Sequence, residues 1–296
     1  MTPSEHAELA LLLEVAGAPK PGNVDRERDL ADLRFEQFLA GAVGAREGLE
    51  LAAEPDERLG AAFETAVAGM AAASDTNTQF GCLLLVTPLV RTAATGDLTR
   101  ERASEVTEAT TVADAAGFYR AFEHTDVAVG DPPEGAADLD VRRGAAAVPA
   151  LRERDLTLHD VMELSADGDA NAREWTTGFS RVFDAAERIA AGDGPLTDRA
   201  ADAFLRLLAE EPDTLVVTEH GDATAEAVRS EAERLIEAPD ADIREFADDL
   251  VERGVNPGTT ADLTAAALFV ALESGASVAG VSTDGTASGG DGGGGQ

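Results

Sequence analysis

The stretch GVNPGTTADLTAAALFVALESG, Gly254–Gly275, decides how the chain is read. Asn256, Pro257 and Gly258 shape a bend, Thr259 or Thr260 can cap a helix, and Asp262 falls in the first helical turn, where the dipole favours an acid. The pattern predicts a helix over residues 259–274. Outward from it, apolar residues recur three and four positions apart along most of the chain and alternating runs are almost absent, so the fold is expected to be all-α, a multi-helix bundle. Further helices are expected over residues 4–16, 32–53, 57–74, 80–95, 99–123 with a break, 157–166, 171–191, 197–210, 222–237 and 240–253. The β-branched run TLVVTEHG, Thr214–Gly221, reads as a connector or buried turn, and residues 126–150 as a long surface loop. From Ser277 the chain turns to Gly, Ser, Thr and Asp, which cannot bury enough apolar surface to order itself. One helical domain over residues 1–274 and a disordered tail over 275–296 are therefore expected.

Composition sets the surroundings. With 57 acidic and 23 basic residues the formal net charge is −34, which excludes a general nucleic-acid binder, since that needs a basic face. So acidic a surface stays soluble and hydrated when concentrated salt screens it, which points to a halophilic source. The preference for acids and arginine then belongs to the whole proteome and not to function. Against that bias the chain keeps a single lysine, Lys20, which makes Lys20 a candidate ligand contact; the plainer alternative is a snorkelled surface lysine. The 44% of hydrophobic residues are rich in alanine and favour closely packed helices. There is no apolar run of about 18 residues and no basic-then-apolar leader, so a cytoplasmic protein without membrane contact is expected. The lone Cys82, inside CLLLV, rules out an internal disulfide and a cysteine zinc site and reads as a small core residue. His6, His124, His159 and His220 fall outside every motif and are assigned no role.

Three further polar segments precede predicted helices. In GAPKPGNVDRERD, Gly17–Asp29, Pro19 and Pro21 hold the backbone extended around Lys20 and Gly22 permits a tight bend. A lysine presented beside Asp25 and Asp29 suits a metal-bound polyphosphate, with Lys as point charge and Asp as hard oxygen ligand; a solvated helix connector is the alternative. In ASDTNTQFGCLLLVTPL, Ala73–Leu89, four polar residues exceed what one helix cap needs, and the apolar helix from Phe80 would carry its N–H groups into the interior as a phosphate seat. In SADGDANAREW, Ser165–Trp175, Asp167 and Arg173 are weaker candidates beside Asp169, Asn171 and Glu174. Four segments of like construction suggest loops clustered at one end of a bundle.

PKPGNVDR with its following acid, TNTQFG and NPGTTADLTAAALFVAL together resemble the triphosphoribosyl-dephospho-CoA synthase family, nearest to its archaeal branch, over residues 14–274. Family members read PKPGLVDR, NTHKG and SPGGSADLLALTLF at these places. The resemblance implies an all-helical transferase that uses ATP and Mg²⁺, displaces adenine from the ribose of ATP, and joins the triphosphoribosyl group to the ribose 2′-hydroxyl of dephospho-CoA, so its partners are a nucleotide and a CoA-type substrate. It implies roles for Lys20, Gly22 and Arg26 at the triphosphate, for Asn77, Thr78, Gly258 and Thr259 at phosphate or sugar, for Asp25 and Asp29 at Mg²⁺ or ribose, and for Asp262 at the metal or in acid/base work, with Asp25 and Asp262 the catalytic candidates. Two departures stand out. Gln79 and Phe80 occupy the His-Lys positions of bacterial members, and the asparagine-rich acidic segment before the Arg-Gly-Gly of those members has no clear counterpart near DVRRGAA. A related ATP-ribosyl enzyme with another acceptor, or a non-catalytic nucleotide-binding protein, are the alternatives.

Overall fold

The structure, a computed structural model, describes residues 1–132 and 135–278. Among these residues there are sixteen α-helices and no strand. Helix α1 (Pro3–Ala16) starts in a capping box between Thr2 and Glu5, with Pro3 in its first turn. The segment expected as one helix over residues 32–53 divides at Ala45 into α2 (Phe35–Gly44) and α3 (Arg46–Ala53). After α4 (Leu59–Ser74) and α5 (Phe80–Thr95), α6 (Arg100–Glu108) and α7 (Val112–Ala121) flank the expected break. There Asp114 turns back to accept from the Thr111 N–H at 2.8 Å and from the Gly60 N–H of α4 at 2.9 Å.

Three expectations are corrected here. Residues 126–150 are not simply a surface loop: they contain two 3₁₀ turns and the start of α8 (Val148–Glu153), and Leu139, Ala147 and Val148 are buried. The Tyr119 hydroxyl donates to the Leu139 carbonyl at 2.7 Å, fixing the segment to α7. After α9 (Leu158–Ser165), the helix expected over 171–191 breaks into α10 (Ala170–Thr176) and α11 (Ser180–Ala191). Gly178 and Phe179 both take left-handed backbone, and the Glu174 carboxylate turns onto the Val182 N–H at 3.0 Å to start the second helix. Beyond α12 (Leu196–Glu210), the β-branched run forms the short helix α13 (Thr214–His220), because Asp213 caps it by accepting from the Leu215 and Val216 N–H groups at 2.9 and 3.1 Å. Helices α14 (Asp222–Leu235), α15 (Asp240–Glu252) and α16 (Gly258–Glu273) complete the chain.

Helix α16 lies at the centre, packed against α1, α5, α11 and α12. Every residue from Leu263 to Leu272 is buried, as expected of a helix apolar on all sides. A second apolar cluster, including Phe204, Leu208, Val228, Leu235, Phe246 and Leu250, joins α12, α14 and α15. Gly275, at φ 94°, ends α16: the Ala276 N–H reaches back to the Ala271 carbonyl at 2.9 Å and Ala276 is buried against the core. Packing thus extends past the boundary expected at residue 274. The rest of the expected tail, residues 279–296, lies outside the described residues.

Close helix approach rests on glycine. A Cβ on Gly48 of α3 would overlap the Ala66 backbone of α4, and one on Gly117 of α7 would overlap Gly60 of α4. Gly48→Ala should therefore destabilise the fold by about 1–3 kcal/mol despite the better helix propensity of alanine. Gly130→Ala, where the surroundings are open, should change stability by less than about 0.5 kcal/mol. Thermal unfolding of both variants in concentrated salt checks this; a Gly48→Ala protein as stable as the parent would contradict it.

Candidate active site

The loop after α1 and the loop before α16 are built against each other. Gly22, at φ 74°, lies so close to the Val255 carbonyl and Pro257 that a Cβ would overlap both. The Asn23 amide donates to Asn256 Oδ1 at 2.8 Å across the same seam. Gly22, expected at the triphosphate, is thus held first by packing between two motifs.

Lys20 is fully buried. Its Nζ donates to Glu14 and, at 3.0 Å, to Asn23 Oδ1, and lies 5.8 Å from the centre of the Phe204 ring. Its backbone N–H donates to Asp25 Oδ2 at 3.0 Å. Burial pushes the Glu14 carboxyl up, and the ammonium beside it opposes that shift. In this conformation Lys20 is turned inward onto Glu14 and offers no surface to a ligand, which corrects the expectation of a presented phosphate contact. Arg26 lies outside the seam, donating to the Ala16 carbonyl at 2.9 Å and facing Asp198 at 3.7 Å.

Asp262 is the centre of the second constellation. Its Oδ1 accepts from the Cys82 thiol at 3.2 Å and its Oδ2 from the Asn171 amide at 2.7 Å, joining α5, α10 and α16. Gly81 makes this possible, since a Cβ there would overlap the Asp262 carboxylate and crowd the Asn171 amide. Asp262 keeps part of its surface open to solvent but is otherwise enclosed by protein. That enclosure is the largest cause lifting its pKa to about 7, against the two hydrogen bonds and with smaller contributions from Asp213 and Glu14. Cys82 is buried in the core as expected, and burial with the neighbouring Asp262 holds its thiol well above the usual range, so it is no nucleophile.

The helix N-termini at this end differ in what they leave free. On α16 the Thr260 N–H and hydroxyl are both taken by Asp213 Oδ2 at 2.7 Å, and Thr259 Oγ1 meets Thr214 Oγ1 at 3.1 Å. A Cβ on Gly258 would overlap Leu215. On α10 the Asn171 and Ala172 N–H groups are satisfied by Asp169. On α5 Asn77 Oδ1 takes the Phe80 N–H at 3.1 Å, while among the described residues the Gly81 and Cys82 N–H groups and the Thr78 hydroxyl meet no acceptor or partner. The first turn of α5 is therefore the candidate anion seat, on its two unmet N–H groups, while the Thr78 hydroxyl lies buried against Gly41.

The three carboxylates expected at Mg²⁺ do not gather. Asp25 is buried and occupied by the Lys20 and Glu27 N–H groups, Asp29 Oδ1 accepts the Phe35 N–H at 2.8 Å at the start of α2, and Asp262 has both oxygens engaged. No group of three acidic, histidine or cysteine side chains able to hold a metal occurs among the described residues. These residues do not fit a resident metal centre. Asp167 is exposed, and Arg173 is tied to Glu211 at 2.6 Å and to the Ala166 carbonyl. The sequence pattern gave no role to Glu14, Gly81, Asn171 or Asp213. An acid six residues before the only lysine, and Asp213 next to a β-branched run, were the available signals.

Comparison with known proteins shows the family of the chain. The chain belongs to the ATP:dephospho-CoA triphosphoribosyl transferase family, whose profile matches residues 1–279, and it is accordingly a transferase. A crystal structure from Archaeoglobus fulgidus, provisionally designated a triphosphoribosyl-dephospho-CoA synthase, aligns with a TM-score of 0.68 at 25% identity, covering 81% of this chain and 100% of that one. No curated protein matches significantly. No helix among the described residues is long and apolar enough to cross a membrane.

Removing the buried ammonium separates a structural lysine from a ligand contact. Lys20→Met should lower unfolding free energy by about 3–5 kcal/mol without any nucleotide present, because it strands Glu14, and adding Glu14→Gln should recover most of the loss. Denaturant unfolding of parent, single and double variants measures it. Full stability of Lys20→Met would show that the pair holds nothing together.

Proposed function

We propose that this protein transfers the triphosphoribosyl group of ATP to the ribose 2′-hydroxyl of 3′-dephospho-CoA and releases adenine. The observation that carries this reading is Asp262, a partly exposed residue with its pKa near 7, held by Asn171 and Cys82 beside the partly capped first turn of α5. Both oxygens accept hydrogen bonds, which favours the ionised form, while enclosure makes that form a stronger base than an ordinary aspartate. Asp262 takes the proton of the 2′-hydroxyl as its oxygen bonds to C1′ of the ATP ribose. The bond from C1′ to adenine breaks, and the base leaves with the electron pair and picks up a proton. The carboxylate also opposes the positive charge that develops on the sugar.

The triphosphate is assigned to the turn Asn77–Cys82, where the Gly81 and Cys82 N–H groups meet no acceptor among the described residues. Lys20 is paired with Glu14, Arg28 with Asp248 and Arg173 with Glu211. With these cations occupied and Arg26 outside the seam, charge compensation for the triphosphate is assigned to Mg²⁺ carried by the phosphates and not to a protein cage. The residues that replace the bacterial His-Lys pair turn inward. Phe80 packs among Phe63, Phe118 and Phe122, and Gln79 reaches toward the Leu11 carbonyl, so neither supplies a cation.

Adenine release from ATP on addition of 3′-dephospho-CoA, in concentrated salt, tests the reaction; ATP left intact with this acceptor would refute it. Turnover should rise as pH passes through about 7, and Asp262→Asn should abolish it. Stability should move the other way. Because the folded-state value lies above the ordinary aspartate value of about 4, the contribution of protonated Asp262 is fully present below that value and lost as pH rises through about 7. Asp262→Asn should therefore be inactive yet more heat-stable than the parent at pH 8. An inactive variant that is also less stable there would argue for a structural role.

A further inference from the structure

Asn171 opens α10 and is 7% exposed. Its Nδ2 donates to Asp262 Oδ2 at 2.7 Å, and with Asp262 ionised only the NH₂ end of the amide can donate to it, so in that state the contact sets which way the amide faces. Its Oδ1 is left buried and without a partner. An unpaired buried amide oxygen is rare in native proteins and is met by a water or by a ligand donor. The atom belongs to the same hydrogen-bonded pair as the Asp262 carboxylate, and Gly81 lets both side chains lie directly against α5.

We infer that Asn171 Oδ1 accepts a hydrogen bond from the 3′-hydroxyl of the acceptor ribose, next to the 2′-hydroxyl that Asp262 deprotonates. The inference rests on the proposed transfer reaction and names the part of the acceptor that the site reads. Adjacent acceptor atoms on Asn171 and Asp262 match the adjacent hydroxyls of a ribose diol. A hydroxyl brings the hydrogen that Oδ1 lacks. A 3′-phosphate, dianionic near neutral pH, brings none and is repelled by both the amide oxygen and the carboxylate. Asn171 is thus a specificity residue that admits dephospho-CoA and turns away CoA.

The test compares three acceptors, dephospho-CoA, its 3′-deoxy analogue and CoA, on the parent and on Asn171→Ala. Calorimetry reads binding and adenine release reads turnover, both in concentrated salt. The parent should favour dephospho-CoA over the 3′-deoxy analogue by roughly 10- to 100-fold and over CoA by more. Asn171→Ala should treat the first two alike and admit CoA as a competitor. If Asn171 only orients Asp262, the variant loses turnover with every acceptor by the same factor and keeps the parent's discrimination, which overturns the inference. A parent that binds dephospho-CoA and the 3′-deoxy analogue equally overturns it without recourse to any variant, so a poorly folded Asn171→Ala leaves the test standing. Discrimination that tracks 3′-deoxy-ATP and not the acceptor analogue overturns it too, since the diol read would then be that of the donor. Failure of the parent to bind dephospho-CoA at all removes the transfer reaction and this inference together, whereas binding without preference removes the inference alone.

Discussion

A helix that is apolar on every face can be buried along its length, but its first turn still carries N–H groups that need acceptors. That constraint on α16 organises this end of the molecule. Asp213 reaches over from the start of α13 to satisfy Thr260, Asn256 ties the approaching loop to Asn23, and Asp262 is drawn under α5 by Cys82 and Asn171. The polar cluster read as an active site is in part the machinery that lets the central helix begin inside the protein. What distinguishes the candidate chemistry from the caps is incomplete satisfaction. Asp213 is spent on four donors, whereas Asp262 stays partly open beside the unpaired oxygen of Asn171.

The one lysine answers a different demand. Glu14 lies at the buried end of α1, and a carboxylate there is costly unless a cation sits against it. The neighbouring space, bounded by Asn23 and the face of Phe204, receives a compact ammonium on a flexible stem. A planar guanidinium with five donors would leave several unpaired in it. In a chain that otherwise relies on arginine, this supplies a packing reason for the exception, and it bears on function at one remove: Glu14 and Asp213 both add to the charge that lifts Asp262.

Fold class was legible because it depends on periodicity, which α5 and α16 display along their whole length, and their ends fall within a residue of those read from spacing. The misread elements are those where a side chain overrules propensity. Asp213 turns a β-branched run into a helix, Glu174 with Gly178 and Phe179 divides another, and buried Leu139 and Ala147 hold down what reads as loop. Within the site, sequence pointed to the four segments and to Asp262, but left open at each whether its polar residues face a ligand or serve caps and connectors. It could not show that Lys20 faces Glu14, that Asp25 and Asp29 serve their own loop and the next helix, or that Asn171 retains an unmet oxygen, because each depends on partners brought together by folding.

Everything functional here turns on Asp262 being a base poised near neutrality, and its ionisation can be observed directly. Titration of the side-chain carboxyl carbons in protein labelled with ¹³C-aspartate, with the Asp262 resonance assigned by its loss in Asp262→Asn, reads that one group among the others. A midpoint near 7 in the ligand-free protein is the predicted result. A midpoint near the ordinary aspartate value of about 4 would contradict it and leave Asp262 as one more cap at the head of the central helix.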